Sequence, residues 1–123
     1  MKTLGIDYGK SKIGFAVGVG TLSEPWKVIR VSSFGDALQK TKSEIEKEKP
    51  DRVVVGVSEG EMGKESKKFA EALGAATFDE TLTSRDAQKL SIEAGVSQKK
   101  RHEMEDAYAA SLMLQSYLDS NEP

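Results

Sequence analysis

The chain reads as an α/β domain: one mixed five-stranded sheet flanked by helices, in the order β-β-β-α-β-α-β-α-α. Two patterns predict it. The first quarter of the sequence holds three short apolar runs rich in β-branched and aromatic residues, separated by turn residues, as in an antiparallel meander. Beyond it, stretches with apolar residues at helical spacing alternate with aliphatic runs, the pattern of crossover units that cover both faces of a sheet. The length fits: 123 residues can form one core that buries roughly two-thirds of the surface of the unfolded chain, and no repeat or linker marks a second unit.

Taken in order, Thr3–Asp7 (TLGID) is the first run, and the turn residues Tyr8-Gly9-Lys10-Ser11 lead to a second, Lys12–Gly20 (KIGFAVGVG), so that the two form a hairpin. Trp26–Val31 (WKVIRV) alternates after Pro25 and makes a third strand. Then the period changes. Over Gly35–Lys49, Phe34, Ala37 or Leu38, Thr41 and Ile45 fall on one face among lysines and glutamates until Pro50 stops the helix. Lys40/Glu44 and Lys42/Glu46 stand there as i,i+4 pairs. Arg52–Val57 (RVVVGV) is a near-continuous aliphatic run, as expected of a parallel strand covered on both faces at the sheet centre. A helix over about Met62–Leu73 turns Met62, Ser66, Phe69, Ala70 and Leu73 inward and closes at Gly74.

Ala75–Glu80 is a short fifth strand. Thr83-Ser-Arg-Asp86 fits a capping box with Asp in place of Glu or Gln and opens a helix that ends at Gly95. Val96–His102 (VSQKKRH) reads as a polar, basic connection. The last helix, about Glu103–Asp119, sets Asp106, Ala109, Ala110, Met113, Leu114 and Tyr117 on one face, and Ser120–Pro123 form a frayed tail.

Composition narrows the function. With 18 Lys and Arg against 20 Asp and Glu, the net charge of −2 argues against a protein that coats nucleic acid through overall charge, so any such contact is local. The absence of cysteine excludes a disulfide scaffold, a thiolate zinc site and a cysteine nucleophile. No apolar run is long enough to span a bilayer, and the N-terminus lacks a signal-peptide layout, so the expected compartment is the cytoplasm and no membrane is involved.

Three acids stand where structure alone would not ask for them: Asp7 at the end of the first strand, Glu80 at the end of the fifth and Asp106 on the apolar stripe of the last helix. A charged carboxylate facing a core costs several kcal/mol unless paired, hydrogen-bonded or metal-bound. Each has a purely structural reading. Asp7 fits an Asx-turn before Gly9, Glu80 an acceptor of backbone amides, and Asp106 a partner of Lys12 or Arg85. All three readings must hold together to dismiss the set. If the first and fifth strands lie near each other at the sheet centre, with the last helix packed on them, the acids converge and repel. Hard divalent cations resolve that repulsion. Oxygen-only ligands select Mg²⁺ or Mn²⁺, and two such ions about 3.5–4 Å apart are a recurring device for phosphodiester hydrolysis.

The same residues carry a family resemblance. Gly5-Ile-Asp-Tyr-Gly9 with Lys12-Ile-Gly-Phe-Ala16, Val54-Val-Gly56 with Gly63-Lys-Glu-Ser66, Asp79-Glu-Thr-Leu-Thr83, and Glu105-Asp-Ala-Tyr-Ala-Ala110 with Leu114-Gln-Ser-Tyr-Leu118 occur in one order over nearly the whole chain. Together they resemble the YqgF family, whose members are described as Holliday junction resolvases or pre-16S rRNA nucleases of RNase H-like fold. The resemblance implies a metal-dependent nuclease with Asp7, Glu80 and Asp106 as catalytic, metal-binding acids, Asp7 bridging two ions. It implies a nucleic-acid substrate, precursor rRNA or branched DNA, and two symmetric cuts in a four-way junction would call for a dimer. The chain also departs from the family. Ser11-Lys12 stands where the family usually has Lys-Arg, Thr81 replaces the usual Arg after Asp-Glu, and Ser58 replaces a frequent Pro. Two guanidinium forks that grip phosphate in bidentate fashion are therefore missing from those positions.

Other residues are weighed against plainer roles. Lys99, Lys100 and Arg101 form the densest basic run, either a loop that holds the nucleic-acid backbone together with Lys12 or a solvated surface. His102 reads as a surface residue before it reads as a base. Glu59 and Glu61 could add a ligand, and Tyr8 and Trp26 could stack on a base, although aromatic residues near strand ends more often pack. Two rival functions exist. Gly5-Ile-Asp-Tyr-Gly9 also looks like the first phosphate loop of actin-like and sugar-kinase ATPases, but those set two related domains around the nucleotide and one copy occurs here. A non-catalytic nucleic-acid- or protein-binding module, its acids kept for folding, is the other.

Overall fold

In the computed structural model, which describes residues 1–57, 60–79 and 98–120, and only the backbone of 98–102, five strands form one sheet. They are β1 (Lys2–Tyr8), β2 (Lys12–Val19), β3 (Leu22–Arg30), β4 (Arg52–Val57) and β5 (Ala76–Asp79), in the spatial order β3-β2-β1-β4-β5. Three described helices, α1 (Phe34–Glu48), α2 (Glu61–Leu73) and α3 (Gln98–Ser120), cover it. The β1–β2–β3 pairings are antiparallel, and β4 and β5 join parallel to β1 and to each other, so the mixed sheet is as expected. The third helix expected over 83–95 and the tail over 121–123 lie outside the described residues.

Alternation divides the sheet into two unlike faces. Leu4, Ile6, Tyr8, Ile13, Phe15 and Val55 point to α1 and α2 and build a core with Ala37, Phe69 and Ala70. On the other face Gly5, Gly14, Ala16, Gly18 and Val54 leave little between the strands and α3, which fills the space with Ala110, Met113, Leu114 and Tyr117. Small residues let a backbone come close. A Cβ on Gly14 would overlap the Asp106 carbonyl, and one on Gly5 would stand 2.9 Å from Leu114 Cβ. The apolar face expected of the last helix is the face it buries. Side-chain bonds to the β2–β3 hairpin fix its position: Ser23 Oγ donates to the Ser111 carbonyl at 2.9 Å, Gln115 Nε2 donates to the Thr21 carbonyl at 2.7 Å, and Gln115 Oε1 accepts from the Ser23 N–H at 3.0 Å.

Several local expectations are corrected. β3 begins at Leu22, before Pro25, because it is an edge strand and a missing N–H costs an edge nothing. A register shift lies at the same place, so that Phe15 pairs with Lys27 and Ala16 with Pro25. The central strand is β1, with β4 beside it, and β5 is at the edge rather than next to β1. On α1, Phe34, Leu38 and Ile45 pack against the core as expected, but Glu44 is buried too, its charge met by Lys27 at 2.8 Å, while Lys40 pairs with Asp36 at 3.1 Å instead of Glu44. Lys49 closes α1 in a left-handed conformation just before Pro50, and Gly74 closes α2, as the sequence indicates. The basic stretch 98–102 is helical, so α3 starts a turn and more before the expected boundary. Gln, Lys, Arg and Glu are good helix formers, and polarity alone does not make a loop.

Candidate active site

Asp7 is the penultimate residue of β1, the central strand, and lies half-buried on the α3 face. Its register partners are Gly14 on β2 and Gly56 on β4, so neither cross-strand neighbour carries a side chain. Gly14 does a second job. Its bare Cα accepts the backbone of α3 at Asp106 and Ala107. The strand pairing and the helix packing thus bring Asp7 and Asp106 together through one residue, and Asp106 is half-buried as well. Behind it on α3, Ala107, Ala109 and Ala110 are buried and hold the helix against the sheet.

Glu80, the third expected acid, lies outside the described residues. β5 ends beside the same end of the sheet: Asp7 pairs with Gly56, and Gly56 in turn with Phe78. Two strand spacings, about 10 Å, separate the backbones of Asp7 and Phe78. Among the described residues no three Asp, Glu or His side chains come together.

Lys12 starts β2 at this end, on the α3 face, half-buried. It lines a cleft of about 320 Å³ with Val28, Arg30 and Glu103. Positions 99–101 occupy the first turns of α3, as a basic helix start rather than a basic loop. His102 shares that stretch, and its side chain, like those of Lys99, Lys100 and Arg101, lies outside the description.

The remaining candidates fall elsewhere. Tyr8 is next to Asp7 in sequence, but alternation sends its ring to the opposite face, where it packs on Phe69 at 4.5 Å and donates to Glu65 Oε1 at 2.9 Å. Burial first, and then the Glu65 carboxylate, push its hydroxyl up to about 12. Trp26 packs edge-on against Phe15 with Lys27 over its ring, also on that face. Glu61 opens α2, exposed and 3.6 Å from Lys64, and lines a cleft with Lys10 and Phe34 on the Tyr8 face, not beside Asp7. Glu59 lies outside the described residues. Arg30 carries no signal in the sequence, because its partnership with Lys12 depends on the β2–β3 register beyond the shift at Phe15/Ala16.

A family model described as "RuvX: Holliday junction resolvase" matches residues 1–120. The chain belongs to the RuvX family. This is the YqgF family of the sequence resemblance, and the chain is accordingly a nuclease, a hydrolase of phosphodiester bonds. A protein of Listeria monocytogenes named "Putative pre-16S rRNA nuclease" is 35% identical, covering 98% of this chain and 99% of its own length. One of the same name from Halothermothrix orenii is 30% identical over 97% of this chain and 95% of its own. In fold, the RuvX chain resembles the fowlpox virus Holliday junction resolvase, with a TM-score of 0.67 at 13% identity over 98% of this chain and 99% of that one. It also resembles T. thermophilus RuvC, solved in complex with a Holliday junction substrate, with a TM-score of 0.62 at 16% identity over 98% and 96% of the two chains. The fold is RNase H-like.

Proposed function

We propose that this RuvX protein is a metal-dependent endonuclease that matures the precursor of 16S rRNA, with Asp7, Glu80 and Asp106 as its catalytic acids. The observation that carries the site is the contact of Gly14 with the α3 backbone at Asp106, because Gly14 is also the hairpin partner of Asp7. Glu80 follows directly on the end of β5 and completes the set. The donors of the proposed set are carboxylate oxygens alone, a chemistry that fits Mg²⁺ or Mn²⁺. When bound, a pair of such ions supplies an activated water and stabilises the leaving oxygen. Asp7, Glu80 and Asp106 would hold the ions, and the chain's own part is to keep these acids close in spite of their repulsion and to present the phosphodiester. Lys12, Lys99, Lys100 and Arg101 serve that last task as local positive charge on a protein of net charge −2.

The names of relatives at 30% and 35% identity support precursor rRNA as the substrate. The family description favours a second reading, a four-way DNA junction, for which two symmetric cuts would require a dimer. Either substrate is met in the cytoplasm, and among the described residues no helix is long and apolar enough to cross a membrane. Cleavage of a labelled precursor leader and of a labelled four-way junction, in Mg²⁺ or Mn²⁺, by wild type and Asp7→Asn tests the proposal. The expected result is cutting of the leader that disappears in the variant. Cutting of the junction alone establishes the second reading, and binding of both without cutting establishes a non-catalytic module. Millimolar Mn²⁺ raises the melting temperature of the wild type but not of Asp7→Asn, because a ligand of the native state stabilises it by mass action.

A further inference from the structure

We infer that Arg30 is a substrate-positioning residue that grips, together with Lys12, one phosphate of the nucleic-acid strand lying over the acid site. The inference rests on the nuclease reading above and adds to it a residue that no motif marks. Lys12 and Arg30 are direct register partners at the end of the β2–β3 ladder, so their side chains leave the sheet on one face, about 5 Å apart at their bases. That face is the α3 face. The next pair on that face, Gly14 with Val28, is the one on which the α3 backbone rests at Asp106. Lys12, Val28, Arg30 and Glu103 line a single cleft there, and Val28, the ladder partner of Gly14, connects it to the contact with α3 at Asp106.

Charge and chemistry point the same way. Among the described residues neither basic side chain has an acid within ion-pair distance, and the one acid lining the cleft, Glu103, is exposed and outnumbered. Arg30 is exposed at its strand end, with its carbonyl held by Lys40 Nζ at 3.0 Å, so its backbone is fixed while its guanidinium is available. A planar fork and an ammonium on adjacent strands suit a single phosphate with its two free oxygens: Arg takes two in bidentate fashion and Lys adds a point charge. The family's usual arginine is missing at position 12. The guanidinium one strand over, on the same face, provides the missing grip from β3.

The test measures binding apart from turnover. Fluorescent precursor-leader RNA and a fluorescent four-way DNA junction are titrated with protein over a range of salt concentrations, all variants being made in an Asp7→Asn background so that no cleavage occurs. Arg30→Ala is expected to weaken binding about tenfold and to lower the slope of log affinity against log salt by about 1. Arg30→Lys restores the slope but not the full affinity, because charge returns without the fork. Lys12→Ala weakens binding by a similar factor, and the double variant loses less than the sum of the two single losses in log affinity, because both residues grip the same phosphate; full additivity overturns the shared grip. Lys42→Ala, on the exposed side of α1, controls for net charge. With Asp7 restored, Arg30→Ala raises KM with little change in kcat. Binding and salt slope of Arg30→Ala equal to those of Lys42→Ala overturn the inference, as does a wild type that binds neither probe. Binding lost in Arg30→Ala while the Asp7-containing enzyme cuts neither substrate upholds the grip and overturns the nuclease reading.

Discussion

The two faces of the sheet are built from the same strands yet do different work. Toward α1 and α2 the strands present Leu4, Ile6, Ile13 and Phe15, closed over by Phe69, all with essentially no exposure. Toward α3 they present Gly5, Gly14, Ala16 and Gly18. Large apolar side chains contribute roughly 1.5–3 kcal/mol each when buried, and glycine contributes almost nothing of that kind. The bulky face therefore carries stability. The bare face spends that potential on proximity: it lets a helix backbone reach the strands, and at their open end it sets Asp106 beside Asp7.

A pair of substitutions, one per face, should separate the two roles most widely. Asp7→Asn is expected to lower cleavage by roughly a thousandfold or more, and to change stability in the absence of metal far less than a core truncation does, since it is isosteric and lies off the bulky face. Phe69→Ala is expected to destabilise the fold by about 3–5 kcal/mol while the molecules that remain folded keep their turnover number. Urea unfolding and single-turnover cleavage on the same preparations check both. A large loss of stability in Asp7→Asn would break the division between the faces.

Within the bare face the glycines should not be equivalent. At Gly14 a methyl group would meet backbone, the Asp106 carbonyl, which has nowhere to move without shifting α3. At Gly18 the nearest atom, Leu118 Cδ1 at 3.0 Å, is the end of a flexible side chain. Gly14→Ala is thus expected to cost about 1–3 kcal/mol and, through the displaced Asp106, to lower cleavage more than its stability loss explains. Gly18→Ala should cost under about 1 kcal/mol with turnover intact, and Gly5→Ala, against Leu114 Cβ at 2.9 Å, should fall between.

This division also decides what could be read from the residues. The apolar runs of β1 and β2 and the helical stripe Asp106–Tyr117 are local patterns, and both fall where the sequence sets them. Asp7 and Asp106 stood out because a carboxylate on an apolar stripe contradicts its surroundings. Arg30 contradicts nothing, since an arginine at a strand end is ordinary, and its value comes from a ladder partner eighteen residues earlier across a register shift. Glu44 was hidden for a similar reason: its burial depends on Lys27 from β3, a partner no helical period can supply. The order of β4 and β5 was a matter of tertiary topology. A near-continuous aliphatic run says that a strand is covered on both faces, and it does not say which neighbour lies at the centre.

The finest test of the two faces uses adjacent residues. Asp7 and Tyr8 follow each other in β1 and point oppositely, Asp7 to the candidate centre and Tyr8 to Phe69 and Glu65. With its folded-state value raised to about 12, the Tyr8 hydroxyl keeps its proton in the native protein at a pH where the unfolded chain, near 10, has lost it. The unfolded state then binds fewer protons, so this contribution is fully present below pH 10 and is lost as pH rises toward 12. Tyr8→Phe should cost about 0.5–1.5 kcal/mol at neutral pH, the value of the bond to Glu65. Its unfolding free energy should then fall less steeply above pH 10 than that of the wild type, so that the two curves converge. Lysines titrate in the same range in both proteins, and the difference between the curves isolates the phenol. Cleavage per folded molecule should stay within about twofold of wild type, because the side chain never reaches the α3 face. A loss comparable to that of Asp7→Asn would mean that the sheet does not insulate one face from the other, and that the Glu65 bond fixes the β1 terminus from which Asp7 projects.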